Sequence, residues 1–223
     1  MELPKISKEC VVLLHGMARS KRSMNKLATK LTQSGYFVVN FNYPSTRYNI
    51  ETIAREFVPK ALAQCTPNAT INFVTHSLGG IILRKYLAEN RLDTLGRVVM
   101  LGPPNKGSQV VDKLRKLPGF KSINGPAGIE LGTDNNSVPN LLGAVDYPVG
   151  IIAGCYSVNP ILSLMLPTPD DGKVSVENTK VDGMIDHITL PVSHPFLMRN
   201  DEVIKQVKMF LSTGKFQQNK TLQ

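Results

Sequence analysis

Short apolar runs rich in β-branched residues recur along the chain and alternate with segments whose apolar residues fall at helical spacing. This alternation is what a parallel sheet covered by helices on both faces requires, because its strands are buried on both sides and each return to the same edge needs a crossover. The first run is Cys10-Val11-Val12-Leu13-Leu14, ending at His15-Gly16. A helix is predicted from about Ser20 to Ser34, with Met24, Leu27, Ala28 and Leu31 on one face and Gly35 as its stop. Tyr36 to Tyr43 reads as the second strand. Asn49 is placed to cap a second helix reaching about Gln64, with Ile53, Ala54, Phe57, Val58, Ala61 and Leu62 as its buried stripe and Pro59 positioned to kink it.

The third strand, Ile71 to Thr75, runs into His76-Ser77-Leu78-Gly79-Gly80 and a helix extending to about Glu89. Arg97 to Leu101 and Val149 to Ala153 are the fourth and fifth strands, His187 to Val192 is the last, and a closing helix follows Pro195. Residues 117–148 read as an irregular insert without secondary structure of their own. Right-handed crossovers would then bring the C-terminal ends of all the strands to one rim.

With 223 residues and 42% hydrophobic content the chain can bury one substantial core, and a single domain over residues 1–223 is expected, without a separate lid domain. The residues after Met1-Glu2-Leu3-Pro4-Lys5 lack the regions of a signal peptide, and no stretch is long enough to cross a bilayer, so a cytoplasmic location is expected unless a leader has been removed. The three cysteines, Cys10, Cys65 and Cys155, are widely spaced without a metal-ligand pattern and read as buried free thiols. Asn-x-Ser/Thr matches at Asn68, Asn135 and Asn219 carry little weight without a secretory signal.

The formal net charge is +9, and in the first thirty residues Lys5, Lys8, Arg19, Lys21, Arg22, Lys26 and Lys30 outnumber Glu2 and Glu9. A basic face of this kind can draw anionic substrates or an anionic membrane surface toward a site, and it can equally be a solvated helix face. No nucleic-acid-binding motif accompanies it, so nucleic acid is not an expected partner. The oligomeric state is left open.

Thr75-His76-Ser77-Leu78-Gly79 at a strand-to-helix junction is the strongest chemical signal. A serine there sits on a tight turn that lifts its hydroxyl clear of the sheet, and the helix N-terminus behind it offers free N–H groups and positive potential. The segment resembles the G-x-S-x-G nucleophile motif of the α/β-hydrolase family, in particular its small bacterial lipases and esterases, with Thr75 as the departure at the first small position. Val11-Val12-Leu13-Leu14-His15-Gly16-Met17 resembles that family's apolar strand ending in His-Gly. The resemblance implies that the backbone N–H groups of Met17 and Leu78 form the oxyanion hole, with His15 as a brace for the loop. The family order Ser, Asp or Glu, His leaves His187 and His194 as bases; His194, on a loop after the last strand, is preferred, and His187 reads as a packing or surface histidine. Asp170-Asp171-Gly172-Lys173-Val174-Ser175 is similar to the Asp-Gly-x-Val-Ser segment of bacterial lipases, which nominates Asp171 as the acid and keeps Asp170 as its rival. Asp-Gly is also an ordinary turn sequence. Asp146, Asp182 and Asp186 are weaker choices.

The resemblance extends from about Cys10 to about Phe210, including Gly102-Pro103-Pro104-Asn105-Lys106-Gly107-Ser108. It implies an α/β-hydrolase fold with a minimal six-stranded, mostly parallel sheet. The implied activity is a serine esterase or lipase acting on small-molecule or lipid esters, without cofactor or metal. A thioesterase, protein deacylase or amidase would use the same triad, and a catalytically silent scaffold acting as a binding protein would share the fold. The apolar stretch Tyr156 to Pro169 leaves the fifth strand on the rim that carries Ser77, so Ile161, Leu162 and Leu166 are expected to line the acyl pocket; a short buried helix plugging the sheet end is the competing reading.

Overall fold

The computed structural model describes residues 8–217. Glu2, Lys5 and the Asn219 match lie outside them. Six parallel strands form one sheet: β1 (Glu9–Leu14), β2 (Phe37–Phe41), β3 (Thr70–His76), β4 (Leu95–Leu101), β5 (Val149–Gly154) and β6 (Asp186–Leu190), in the spatial order β2-β1-β3-β4-β5-β6. Every adjacent pair is parallel. The order reverses once, beside β1, and the ends of β1 and β3 therefore open a crevice there.

The helices are α1 (Asn25–Thr32), α2 (Ile50–Leu62), α3 (Leu78–Glu89), α4 (Gln109–Leu114), α5 (Phe120–Ile129), α6 (Val138–Leu141), α7 (Pro160–Ser163), α8 (Val176–Thr179) and α9 (Asp201–Thr213). Successive side chains of a strand point to opposite faces, and the core divides accordingly. Val12, Leu14, Phe73, Met100 and Ile151 pack with Ile53, Val58, Ile81 and Ile82 of α2 and α3. Their neighbours Val11, Leu13, Val74, Leu101 and Ile152 pack with Leu27 and Leu31 of α1 and Val203, Val207 and Phe210 of α9. Asn49 caps α2 through its side-chain oxygen, which accepts from the Thr52 N–H at 2.8 Å, and the helix runs on through Pro59 to Leu62.

Two expectations are corrected. The insert at 117–148 is not irregular: α5 occupies Phe120–Ile129 and α6 Val138–Leu141, with α5 bent where Gly125 leaves helical geometry ahead of Pro126. Three glycines and a proline between residues 119 and 128 hide the helical period, and the segment is held helical by packing of Ala127 and Leu131 into the core. The cysteines are also not all free. Cys10 in β1 and Cys65 after α2 form a disulfide, while Cys155 stays a thiol.

That disulfide closes a chain separation of 55 residues, so on chain-entropy grounds it stabilises the fold by about 4 kcal/mol. Cys65→Ser, which leaves the buried Cys10 as a thiol, is expected to lower the midpoint of denaturant unfolding, and reducing agent should do the same to the wild type but not to the variant. Identical midpoints with and without reductant would contradict the pairing.

Among the described residues no helix is long and apolar enough to cross a membrane. Of the basic residues that the sequence groups near the N-terminus, Lys26 pairs with Asp201 of α9 at 2.8 Å, tying α1 to the closing helix.

Candidate active site

Ser77 joins β3 to α3 with φ 53° and ψ −121°, a conformation that costs a non-glycine residue of order 1–3 kcal/mol and survives only where its surroundings impose it. Its N–H is held by the Leu101 carbonyl at 2.9 Å, and its own carbonyl accepts from Gly80 N–H at 2.9 Å. The turn also depends on close approach: a Cβ at Gly79 would stand 2.5 Å from the Leu14 carbonyl oxygen. Thr75 is fully buried with its hydroxyl oxygen 3.3 Å from where a Gly80 Cβ would be, so a small side chain suffices at that position without being glycine.

Asp171 and His194, 23 residues apart, come together on the loops that follow β5 and β6. His194 Nδ1 and Asp171 Oδ2 are 2.7 Å apart, and the His194 backbone N–H donates to the Asp171 carbonyl at 3.0 Å. The other carboxylate oxygen, Oδ1, accepts from the Lys173 and Val174 N–H groups at 3.0 and 2.9 Å. The turn residues thus clamp the carboxylate, and the His194 ring is left with Nε2 unengaged among the described residues. Asp170 turns the other way: its carboxylate accepts from the Ser163 hydroxyl at 2.5 Å and the Gly172 N–H at 2.7 Å. Gly102, at the end of β4 with φ +53°, lies beside the pair; a Cβ there would sit 3.1 Å from both Asp171 Oδ2 and His194 Nδ1.

The remaining histidines have other surroundings. His187 lies within β6 and shares a 3.0 Å hydrogen bond with the Thr179 hydroxyl, away from the pair. His15 stacks on Tyr43 with ring centroids 4.1 Å apart; its Nε2 accepts from the Tyr43 N–H at 3.3 Å, and its carbonyl accepts from the Tyr43 hydroxyl. His15 therefore braces the β1 loop. His76, beside Ser77, is the surprise: its Nε2 donates to the His194 carbonyl at 3.1 Å, the two rings lie 4.8 Å apart, and its Nδ1 is buried without a partner. The neighbour of Ser77 thus holds the backbone of His194, a tie the sequence motif does not reveal.

Burial first, and then the nearby His194, pushes the His76 pKa well below the ordinary histidine value. Burial likewise lowers that of His15, against its backbone hydrogen bonds. A histidine whose folded pKa is below its unfolded value binds more proton when unfolded, so the stability it permits is present above about pH 6.5 and is lost as pH falls through that value. Denaturant midpoints should therefore drop on acidification below about pH 6.5, with a slope of up to about 1.4 kcal/mol per pH unit for each such histidine. His76→Gln should flatten the slope, and an unchanged slope would contradict this reading.

Met17 borders the same cavity as Ser77, and Leu78 opens α3 immediately after it. Neither backbone N–H meets an acceptor among the described residues. The cavity, of about 620 Å³, is bordered by Ser77, Asp171 and His194 together with an apolar wall of Val110, Val111, Leu114, Phe120, Leu131 and Leu162. Of the three pocket residues expected from the sequence, only Leu162 borders it. Ile161, on α7, is 68% exposed, and Leu166 is buried in packing, so these two are withdrawn from the pocket. Their place is taken by Val110, Val111 and Leu114 of α4 and Phe120 of α5. Among the described residues no group of three or more His, Cys, Asp or Glu side chains is arranged to hold a metal ion.

No family model matches the chain, and no curated protein sequence does either. Solved structures do. The mature form of the Bacillus licheniformis lipase BlEst2 superposes with a TM-score of 0.68 at 18% identity, over 96% of this chain and 94% of that one. The Pyrococcus furiosus esterase PF2001 gives 0.64 at 19% identity, over 92% and 82%. YbtT, a type II thioesterase from the yersiniabactin biosynthetic pathway, gives 0.65 at 11% identity, over 96% and 97%. At such identities the likeness speaks for architecture, here a parallel six-stranded sheet with helices on both faces. The chain therefore has the α/β-hydrolase fold, the architecture of these lipases and esterases.

Proposed function

We propose that this protein is a serine hydrolase that cleaves carboxylic esters through an acyl-enzyme, with Ser77 as nucleophile, His194 as general base and acid, and Asp171 as its partner. The observation that carries this reading is that Ser77, held at positive φ on a strand-to-helix turn, borders one cavity with a buried Asp171–His194 pair 2.7 Å apart. His194, with Nδ1–H donated to Asp171, takes the Ser77 proton on its free Nε2 as the hydroxyl oxygen attacks the ester carbonyl. The tetrahedral oxygen gathers charge, and the Met17 and Leu78 N–H groups stabilise it. His194 then returns the proton to the departing alcohol. A water enters, His194 takes its proton, and the acyl group leaves as the acid with Ser77 restored. Asp171 keeps the imidazole in the useful tautomer and steadies its charged form. No metal or cofactor takes part in these steps.

The apolar wall on α4 and α5 supports acyl chains of medium length. Each methylene buried there adds about 0.8 kcal/mol, roughly fourfold in kcat/KM, until the wall is filled. A fluorophosphonate probe is expected to label Ser77, and kcat/KM across p-nitrophenyl esters should climb from acetyl to hexanoyl or beyond. Leu114→Ser should flatten that climb, while the exposed Ile161→Ser leaves it in place. An unlabelled Ser77 would end the hydrolase reading; a profile unaltered by Leu114→Ser would remove α4 from the acyl site. Thioesters belong in the same panel, because the fold is shared with a thioesterase and the machinery would serve either leaving group. The Cys10–Cys65 disulfide supports a compartment where thiols are oxidised, in place of the cytoplasm expected from the sequence.

A further inference from the structure

Two cations stand at the mouth of the Ser77 cavity. Arg19 is on the loop after β1, two residues beyond Met17, and Lys173 is two residues beyond Asp171; both border the cavity and both are exposed. Among the described residues neither forms an ion pair. Among the described residues the one carboxylate bordering the cavity is that of Asp171, and its oxygens are already engaged by His194 and by the Lys173 and Val174 N–H groups. Loss of water around the Lys173 ammonium lowers its pKa, Asp171 raises it, and Arg19 lowers it again. Both side chains thus border one cavity. Two cations that border one cavity, where the carboxylate of Asp171 is already engaged, favour an anionic group on whatever occupies it.

We propose, building on the esterase reading above, that the protein's substrates are acyl esters whose alcohol portion carries an anionic group, a phosphate or a carboxylate, which Arg19 and Lys173 hold during the reaction. The cavity divides the substrate into two ends. Val110, Val111, Leu114 and Phe120 present an apolar wall that a charged chain would not enter, which assigns that wall to the acyl end. The alcohol end is left to the mouth, where the planar guanidinium of Arg19 can meet two oxygens of an anion and Lys173 supplies a point charge. The formal charge of +9 acts in the same direction by raising the local concentration of anionic substrate.

The test uses a matched pair of soluble esters, 4-hexanoyloxybenzoate and its neutral methyl ester, kept below any micellar concentration. The quantity read is the ratio of kcat/KM for the anionic ester to that for the neutral one, so that any general loss in a variant cancels. Arg19→Gln and Lys173→Gln should each lower this ratio about threefold at low ionic strength, and the double variant about tenfold. The effect should shrink in 0.5 M NaCl. A ratio that is the same in wild type and double variant overturns the proposal. So does a double variant that keeps the ratio but loses attachment to phosphatidylglycerol vesicles, because the cations would then serve a membrane surface and not the substrate. Hexyl phosphate titrated calorimetrically into Ser77→Ala protein separates this idea from the esterase reading, since it needs no turnover. Saturable binding weakened by Arg19→Gln supports the anion subsite even if neither ester is cleaved, and its absence overturns the subsite even if both are.

Discussion

Ser77→Ala is expected to remove ester hydrolysis almost completely, by a factor on the order of 10⁵–10⁶ in kcat, as when a nucleophile of a mutually dependent triad is deleted. Fluorophosphonate labelling should vanish with it. Folding should be unaffected, because the half-exposed hydroxyl makes no hydrogen bond within the described residues and the strained backbone is imposed by the Leu101 and Gly80 hydrogen bonds, which a methyl group leaves alone. His194→Ala should be about as damaging, since without it nothing takes the proton from Ser77. His187→Ala is the contrasting variant: its ring, on the edge strand β6, meets Thr179 of α8, so it should cost stability but little rate. Activity near wild type in Ser77→Ala, with circular dichroism unchanged, would place the chemistry elsewhere.

Asp171→Asn should lower kcat by about 10⁴, because an amide facing Nδ1 turns the imidazole toward the wrong tautomer. Position is preserved in that variant: the backbone bond from His194 N–H to the Asp171 carbonyl remains, and the side-chain oxygen can still accept from Lys173 and Val174. The loss should therefore appear in kcat with KM little changed. Asp170→Asn probes the alternative carboxylate. It faces Ser163 and Gly172, so its replacement should loosen the attachment of α7 and leave the rate within a few-fold of wild type. Equal damage in both, or the reverse order, would move the acid by one residue.

The strands were legible to within about two residues because parallel strands buried on both faces write themselves as unbroken apolar runs, as in Val11-Val12-Leu13-Leu14 and Val98-Val99-Met100-Leu101. Ser77 and its neighbours were legible because a strand, a tight turn and a helix start are all local features. Asp171 was less so, since Asp-Gly is a turn whatever its function and only the fold brings its carboxylate to His194. The apolar wall of the cavity was not legible. The period of α5 is broken by Gly119, Gly125, Pro126 and Gly128, α4 is only six residues long, and without helices there the apolar stretch at 156–169 looked like the better lining. The Cys10–Cys65 pairing is a matter of which helix returns beside which strand, and spacing alone does not contain it. The tie from His76 to the His194 carbonyl joins residues 118 apart.

Strand order has a consequence for how the proposed activity would be lost. The serine and the Met17 loop grow from β3 and β1, adjacent in the middle of the sheet, whereas Asp171 and His194 follow β5 and β6, and β6 is an edge strand with β4 and β5 between it and the serine. The site is therefore assembled from an interior half and a marginal half. Edges open before centres do, and the free energy of detaching one border strand is a fraction of that of melting the whole sheet. Catalysis would then report on the fraying of β6, well before spectroscopic probes register any collapse of the core. The buried bond from His76 Nε2 to the His194 carbonyl spans those two halves and so acts as the stitch that holds the margin to the middle.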